Sequence, residues 1–276
     1  MILVLWTLVL IGFIVAHLTA SGRTEILIAG NLVSNSVAEA AADGAIYEAI
    51  FNLSDPRPEA RWPIDGSARQ FAIGSSHVTL RLEDEASRIN PSSAPPELLE
   101  ALLRVCGSDP ETARRLAASI GEWVGSPVVT RPQSAVVAEY RSAGLDYGPP
   151  GGPLESLDEL DRVLGMTPAI LAAIRPHFTL FGPADPNPAS TDPVVAAALA
   201  LLPQAGTVAP AFNQSPPDVS TVRITTLAAG PGNARVVRSA IVRIASPLPP
   251  GYNVLAWGSV PNSEIPVAAP GASLTR

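Results

Sequence analysis

An almost unbroken apolar run, Ile2 to Ala20, opens the chain; only Thr7, Gly12, His17 and Thr19 interrupt it, and Arg23 is the first residue with a fixed charge. Nineteen helical residues at about 1.5 Å each span roughly 28 Å, close to the thickness of a hydrocarbon core. A cleaved export signal would carry a basic segment first and small residues before the cut. Here no basic residue precedes the run, and a cut after Ala20 would place Leu18 where a small residue is needed. The stretch therefore reads as a membrane helix, with Ile2, Leu5, Trp6, Leu10, Phe13, Val15 and Leu18 as its anchor residues. His17, near the end of the span, falls at the interface rather than at a functional site in the bilayer.

The helical pattern continues past Arg23. Ile26, Ala29, Val33, Val37, Ala40, Gly44, Ile50 and Phe51 recur at helical spacing, and Asn35, Glu39, Asp43 and Glu48 point elsewhere. Pro56 stops the helix, so the spacing predicts one element from Ile2 to about Leu53, roughly 75–80 Å long. Its first half is apolar all round and its second half amphipathic. Such a helix anchors the chain and also packs against a globular head.

Beyond it, Arg69–Glu83 alternates as a hairpin turning at Gly74-Ser75-Ser76, with His77 on the solvent side. A helical region follows from about Pro91 to Phe181. Pro95 and Pro96 open PPELLEALLRV, whose Leu98, Leu99, Leu102 and Leu103 form a buried stripe. Capping boxes at Ser108/Glu111 and Ser156/Glu159 open two more helices, and Thr167-Pro168 caps a third. A Pro- and Ala-rich stretch with a short helix at Val194–Leu202 leads to strands at STVRITTL and ARVVRSAIVRIA, then to YNVLAWG and a proline-dotted tail. The order is long helix, two strands, helical block, two strands, tail. Pairing the separated strands makes one sheet, and an α+β head with a large helical insertion.

Composition removes several function classes. All 18 basic residues are arginine against 25 acidic ones, a net charge of −7, which argues against nucleic acid as the main ligand. Cys106 is the only cysteine, so neither an intrachain disulfide nor a cysteine-rich metal site can form. The histidines at 17, 77 and 177 lie in three different settings, and no phosphate loop or nucleophile elbow is present. His177, between Pro176 and Phe178, reads as packed at a helix exit. The acidic pairs Asp84/Glu85 and Glu155/Asp158 read as solvated or capping groups. No catalytic, cofactor-binding or metal-binding residues are assigned, and no small-molecule substrate is implied. LDELDRVLGMTPAILAAI has the outline of a helix-hairpin-helix. Its turn, Gly165-Met166-Thr167-Pro168, lacks a second glycine, and residues 91–181 carry eleven acidic residues against seven arginines.

Four stretches in order resemble one family. LVLWTLVLIGFIVAH with GRTEILIAGNLV is similar to its N-terminal helix, and LRLEDEASRINPSSAPPELLEALL to its strand-to-helix junction. EYRSAGLDYGPPGGPLESLDELDRVLGMTPAILAAIRPHFTLF resembles the close of its helical domain, and YNVLAWG its C-terminal end. The family is the minor pseudopilin K of bacterial type II secretion systems (general secretion pathway protein K), and the resemblance runs from Ile2 to about Gly258. It implies a non-enzymatic subunit with a pilin-like long N-terminal helix on a small antiparallel sheet and a large all-helical domain inserted between the strands. Its partners would be minor pseudopilins I and J, the inner-membrane secretion components and the membrane itself, with no nucleic acid. It would sit as a single pass in the bacterial inner membrane, head in the periplasm, capping the pseudopilus tip to support secretion across the outer membrane.

The organisation expected is a transmembrane and spine helix at 1–55, the first part of the sheet at 56–90 and the helical domain at 91–183. A return linker at 184–216, the second part of the sheet at 217–259 and a loose tail at 260–276 complete it. Family precursors carry a short basic leader ending in glycine; Met1 lies within the apolar stretch, so the prepilin peptidase site is expected upstream of Met1. Most pilins have a glutamate at the fifth mature position and pseudopilin K lacks it, in line with the absence of acidic residues before Glu25. The family's helical domain often binds calcium through an Asp-rich loop. The matching stretch GEWVGSPVVTRPQSAVVAEY has no carboxylate between Glu122 and Glu139, so no calcium ligands are assigned. Two other readings remain open: a membrane-anchored helix-hairpin-helix DNA-binding protein of competence type, and an anchored periplasmic enzyme with no nameable site.

Overall fold

The computed structural model describes residues 1–128, 131–188, 192–202, 219–245 and 251–259. The side chains of residues 16, 18–24, 219 and 245 also lie outside the description, and with them the anchor side chain Leu18. The tail 260–276 and most of the expected linker fall outside it too.

Helix α1 runs Ile2–Leu53 and ends where the Ser54 N–H donates to the Ile50 carbonyl at 3.0 Å, two residues before Pro56. Its second half lies on a sheet of β1 (Arg69–Ile73), β2 (Ser76–Asp84), β3 (Val219–Ala229), β4 (Arg235–Ala245) and β5 (Tyr252–Ser259). The strands lie in the order β1-β2-β3-β4-β5, each antiparallel to its neighbour. Alternation is what makes these segments strands: Val78, Leu80 and Leu82 of β2, and Val222, Ile224 and Ala228 of β3, all face α1. The chain leaves the sheet at Asp84 and re-enters at Val219, with Asp84 opposite Val222. Strands far apart in sequence thus pair centrally, and the helical block is an insertion between them.

The face α1 presents differs from the one read off its spacing. Ala38, Ala41, Ala42, Ala45, Ile46, Ala49, Ile50 and Leu53 are buried, whereas Ala29, Val33, Val37, Ala40 and Phe51 are exposed. In a segment this rich in alanine, apolar residues occur in every direction, so period alone selects no face. Close approach to the sheet does, because it favours the smallest side chains. The β3–β4 turn shows how tight the fit is. A Cβ on Gly230 would lie 2.9 Å from the Ala38 Cβ, and Gly232 holds φ +63° against Ser34. β5 is a further correction, because two strands rather than three were expected after the helical block. A register shift between Ile241 and Val242 interrupts its pairing with β4.

The insertion comprises α2 (Pro96–Val105), α3 (Pro110–Trp123), α4 (Gln133–Ser142), α5 (Pro168–Ile174) and α6 (Pro193–Leu201). It has its own core, in which Leu98, Leu102, Leu116, Ile120, Tyr140 and Leu160 are buried. Val195 and Ala198 of α6 belong to that core, so part of the expected return linker is packed helix. The cap of α3 is Asp109 rather than Ser108: Pro110 takes the first helical position, and the Asp109 carboxylate accepts from the Thr112 N–H at 3.0 Å. The Ser156/Glu159 box forms, but on a 3-10 turn at Leu157–Arg162 rather than on an α-helix.

Candidate assembly surface and the joint to the helical unit

Ile2, Leu5, Trp6, Leu10, Phe13 and Val15 are each more than half exposed, and Ile26, Leu27, Ile28, Leu32 and Val33 continue the exposure along α1. Burying one such side chain is worth about 1.5–3 kcal/mol, so a row of them demands lipid or protein around it. Among the described residues no helix is long and apolar enough to cross a membrane. Nearer the head, Tyr47 and Phe51 stand out from α1, and the Tyr47 ring lies 5.4 Å from that of Trp257 on β5.

A second feature holds the helical unit to the sheet. Glu85 follows β2 directly and is fully buried. Its Oε1 accepts from Arg223 Nε of β3 at 2.5 Å and from Arg88 Nη1 at 3.3 Å, and its Oε2 accepts from the Thr179 hydroxyl. Arg88 also donates to Glu83 at 2.6 Å. Two backbone bonds tie the outgoing and returning chains together: Ile89 N–H to the His177 carbonyl, and Thr179 N–H to the Ile89 carbonyl, both 2.9 Å. The solvated reading thus fails for Glu85, while Asp84 does cap, accepting from Ala86 N–H at 2.9 Å. Removing one partner of such a buried pair typically costs about 3–5 kcal/mol, since the other charge is left uncompensated. The joint is rigid by construction.

The loop after α3 is closed by arginine. Arg131 Nη1 donates to the nearly buried Glu122 at 2.8 Å, and its Nη2 donates to Glu139 of α4 at 2.7 Å. Both carboxylates hold the guanidinium pKa above its usual value, Glu139 most strongly. The residues present do not fit the calcium that the family resemblance implies for this loop. Calcium takes six to eight oxygens, several from carboxylates. Here the two carboxylates available already face one cation, and Gln133 turns its amide to the Pro149 carbonyl. Among the described residues no three His, Cys, Asp or Glu side chains gather as a metal site.

The remaining sequence candidates have structural partners. His77 is exposed on β2. His177 Nδ1 lies 2.6 Å from Asp192, whose carboxylate also accepts from the Val194 N–H at the start of α6. Cys106 lies close enough to Asp192 to feel its charge, but burial first and then that charge push the thiol up, so no thiolate is prepared. Around the Gly165 turn, three backbone amides donate within the protein. Leu164 N–H donates to the Tyr140 hydroxyl and Met166 N–H to the Val163 carbonyl, both at 3.0 Å, and Ile170 N–H donates to Thr167 Oγ1. Asp158 meets Arg175 at 2.6 Å, which holds its carboxyl below the usual range.

Sequence reading missed the Glu85 joint and the Glu122–Arg131–Glu139 bridge. The first pairs residues up to 138 positions apart, with no local signal. The second had one: a lone arginine between two glutamates within a Pro-bounded loop.

Comparison with known proteins follows the same outline. Residues 79–183, from within β2 to just beyond α5, match the family model for protein K of the type II secretion system. The fold is similar to a chain in the crystal structure of the GspK-GspI-GspJ complex from the type 2 secretion system of enterotoxigenic Escherichia coli. That likeness has a TM-score of 0.54 at 16% identity and covers 87% of this chain and 99% of that one. No curated protein matches the chain.

Proposed function

We propose, from the premise that residues 79–183 carry the protein K domain of type II secretion systems, that this chain is a minor pseudopilin that caps the periplasmic pseudopilus. The observation that carries the reading is the pairing of that domain, inserted between β2 and β3, with a long helix whose apolar side chains are largely exposed. Residues Ile2–Ala20 hold the subunit as a single pass in the inner membrane, and the head stands in the periplasm. When the subunit is drawn from the bilayer, the same side chains exchange lipid for neighbouring helices, which keeps them out of water throughout. Its partners are minor pseudopilins I and J, as in the complex its fold resembles. The role is assembly rather than catalysis: Cys106, His177 and the acidic residues described above all serve packing, capping or ion pairs. No observation favours DNA binding.

The test is co-purification from membranes with the I- and J-type subunits of the same system, alongside secretion in a strain deleted for this chain. A stable ternary complex and restored secretion are expected. Failure to capture either subunit, with secretion unaffected by the deletion, would overturn the reading.

A further inference from the structure

The bridge at the end of α3 does more than fail to suit a metal. We infer that Arg131 is the built-in cation between α3 and α4, so that the helical unit ties Glu122 at the end of α3 to Glu139 of α4 without calcium. The calcium expectation rests on the protein K reading; the bridge itself does not. Glu122 sits on the last turn of α3 with a side chain only 6% exposed, and a buried carboxylate needs a cation or must take up a proton. Arg131 supplies that cation from within the loop and reaches Glu139 with its other amino group, so one planar guanidinium spans both helices.

The backbone around it is shaped to the same end. Ser126 N–H donates to the Gly121 carbonyl at 2.8 Å, closing the helix end, and Gly151 N–H donates to the Trp123 carbonyl at 3.1 Å. Gly125 at φ +66° lies so close to Gly151 that a Cβ would meet its carbonyl oxygen at 2.6 Å. A divalent ion entering here would meet a fixed positive charge before it met a free carboxylate. Calcium binding and this arginine bridge are therefore alternatives, and the chain has taken the second.

The experiment follows thermal unfolding of the full chain in detergent micelles, with chelator or with calcium at about 10 mM, above the range of weak extracellular calcium modules. Wild type is expected to unfold at the same temperature in both. Arg131→Gln should lower the midpoint by about 5 °C, and calcium should not restore it. The double variant Glu122→Gln/Arg131→Gln, with no buried charge left unpaired, should recover most of the loss. If Arg131→Gln alone does not fold, folding of the double variant makes the same point. A saturable, calcium-dependent rise in the wild-type midpoint would overturn the inference, as would a double variant no better than Arg131→Gln. Neither outcome touches co-purification with the I- and J-type subunits, so the inference and the functional reading fail separately.

Discussion

The two halves of α1 both carry apolar side chains and use them in opposite ways. From residue 38 onward the inward side chains are mostly alanine and all are buried; between residues 2 and 15 and between 26 and 33 the large apolar side chains are exposed. The packed half meets the sheet mostly through alanine, with Ile46, Ile50 and Leu53 filling the wider places, whereas the described large apolar side chains of the other half stand exposed. The helix is thus one rod with a packed face and an exposed apolar one. Placing the same charge in each half is the sharpest way to break that contrast. Ile46→Asp puts a carboxylate into the core between helix and sheet and should cost more than about 4 kcal/mol, enough to lose the head's cooperative transition in denaturant. Ile28→Asp should leave that transition within about 0.5 kcal/mol of wild type while abolishing recovery of the I- and J-type subunits. Equal loss of stability from both would erase the distinction.

A smaller perturbation tests size directly. Ala42 is fully buried, and its carbonyl accepts from the Thr226 hydroxyl at 3.2 Å, so helix and sheet are locked at short range there. Ala42→Leu should cost about 1–3 kcal/mol by overpacking. Ala40→Leu, two residues away on the exposed side, should be close to neutral in the same thermal melt. A neutral Ala42→Leu would mean that the interface is loose and that alanine there reflects helix propensity alone.

The same two faces show where sequence reasoning reaches and where it stops. The length of α1 was legible because a helix-compatible pattern ran unbroken to Pro56, and the hairpin was legible because Val78, Leu80 and Leu82 alternate. The packed face was not, because alanine fits either side and only the sheet's distance chooses. β5 was not, because Val254, Leu255, Ala256 and Trp257 are consecutively apolar rather than alternating and a bulge breaks the register. The α3 cap slipped by one residue between two competent cappers, with Pro110 deciding. At the joint, Glu85 draws its partners from Arg223 and Thr179, whose closeness only the fold creates. The likeness to protein K was legible from local stretches, two of which fall largely within residues 79–183; the Glu85 joint and the Arg131 bridge were not.

The smallest expected effect lies at the boundary between the faces. Asp43 is half-buried beside Arg238, whose Nε lies 3.3 Å from Asp43 Oδ1 without a hydrogen bond between them. Arg238 spends its Nη2 on Glu39, one helical turn earlier. Burial raises the Asp43 pKa above 3.8; Arg238 pulls it back in part, and Glu39 pushes it up again. A carboxyl whose pKa is higher folded than unfolded binds its proton more tightly in the native state. Its contribution is therefore fully present below the unfolded pKa and is lost as pH rises through the folded one. Asp55, Asp109 and Asp158 are shifted down and act in the opposite sense, so only the difference between wild type and Asp43→Asn isolates this group. Wild type should be most favoured relative to Asp43→Asn near pH 3.8 and should lose that advantage as pH rises above it, followed by denaturant unfolding at stepped pH. An advantage that grows with pH would mean that Arg238 engages Asp43 as a true ion pair. In that case the polar edge of α1 would join the packed face rather than border it.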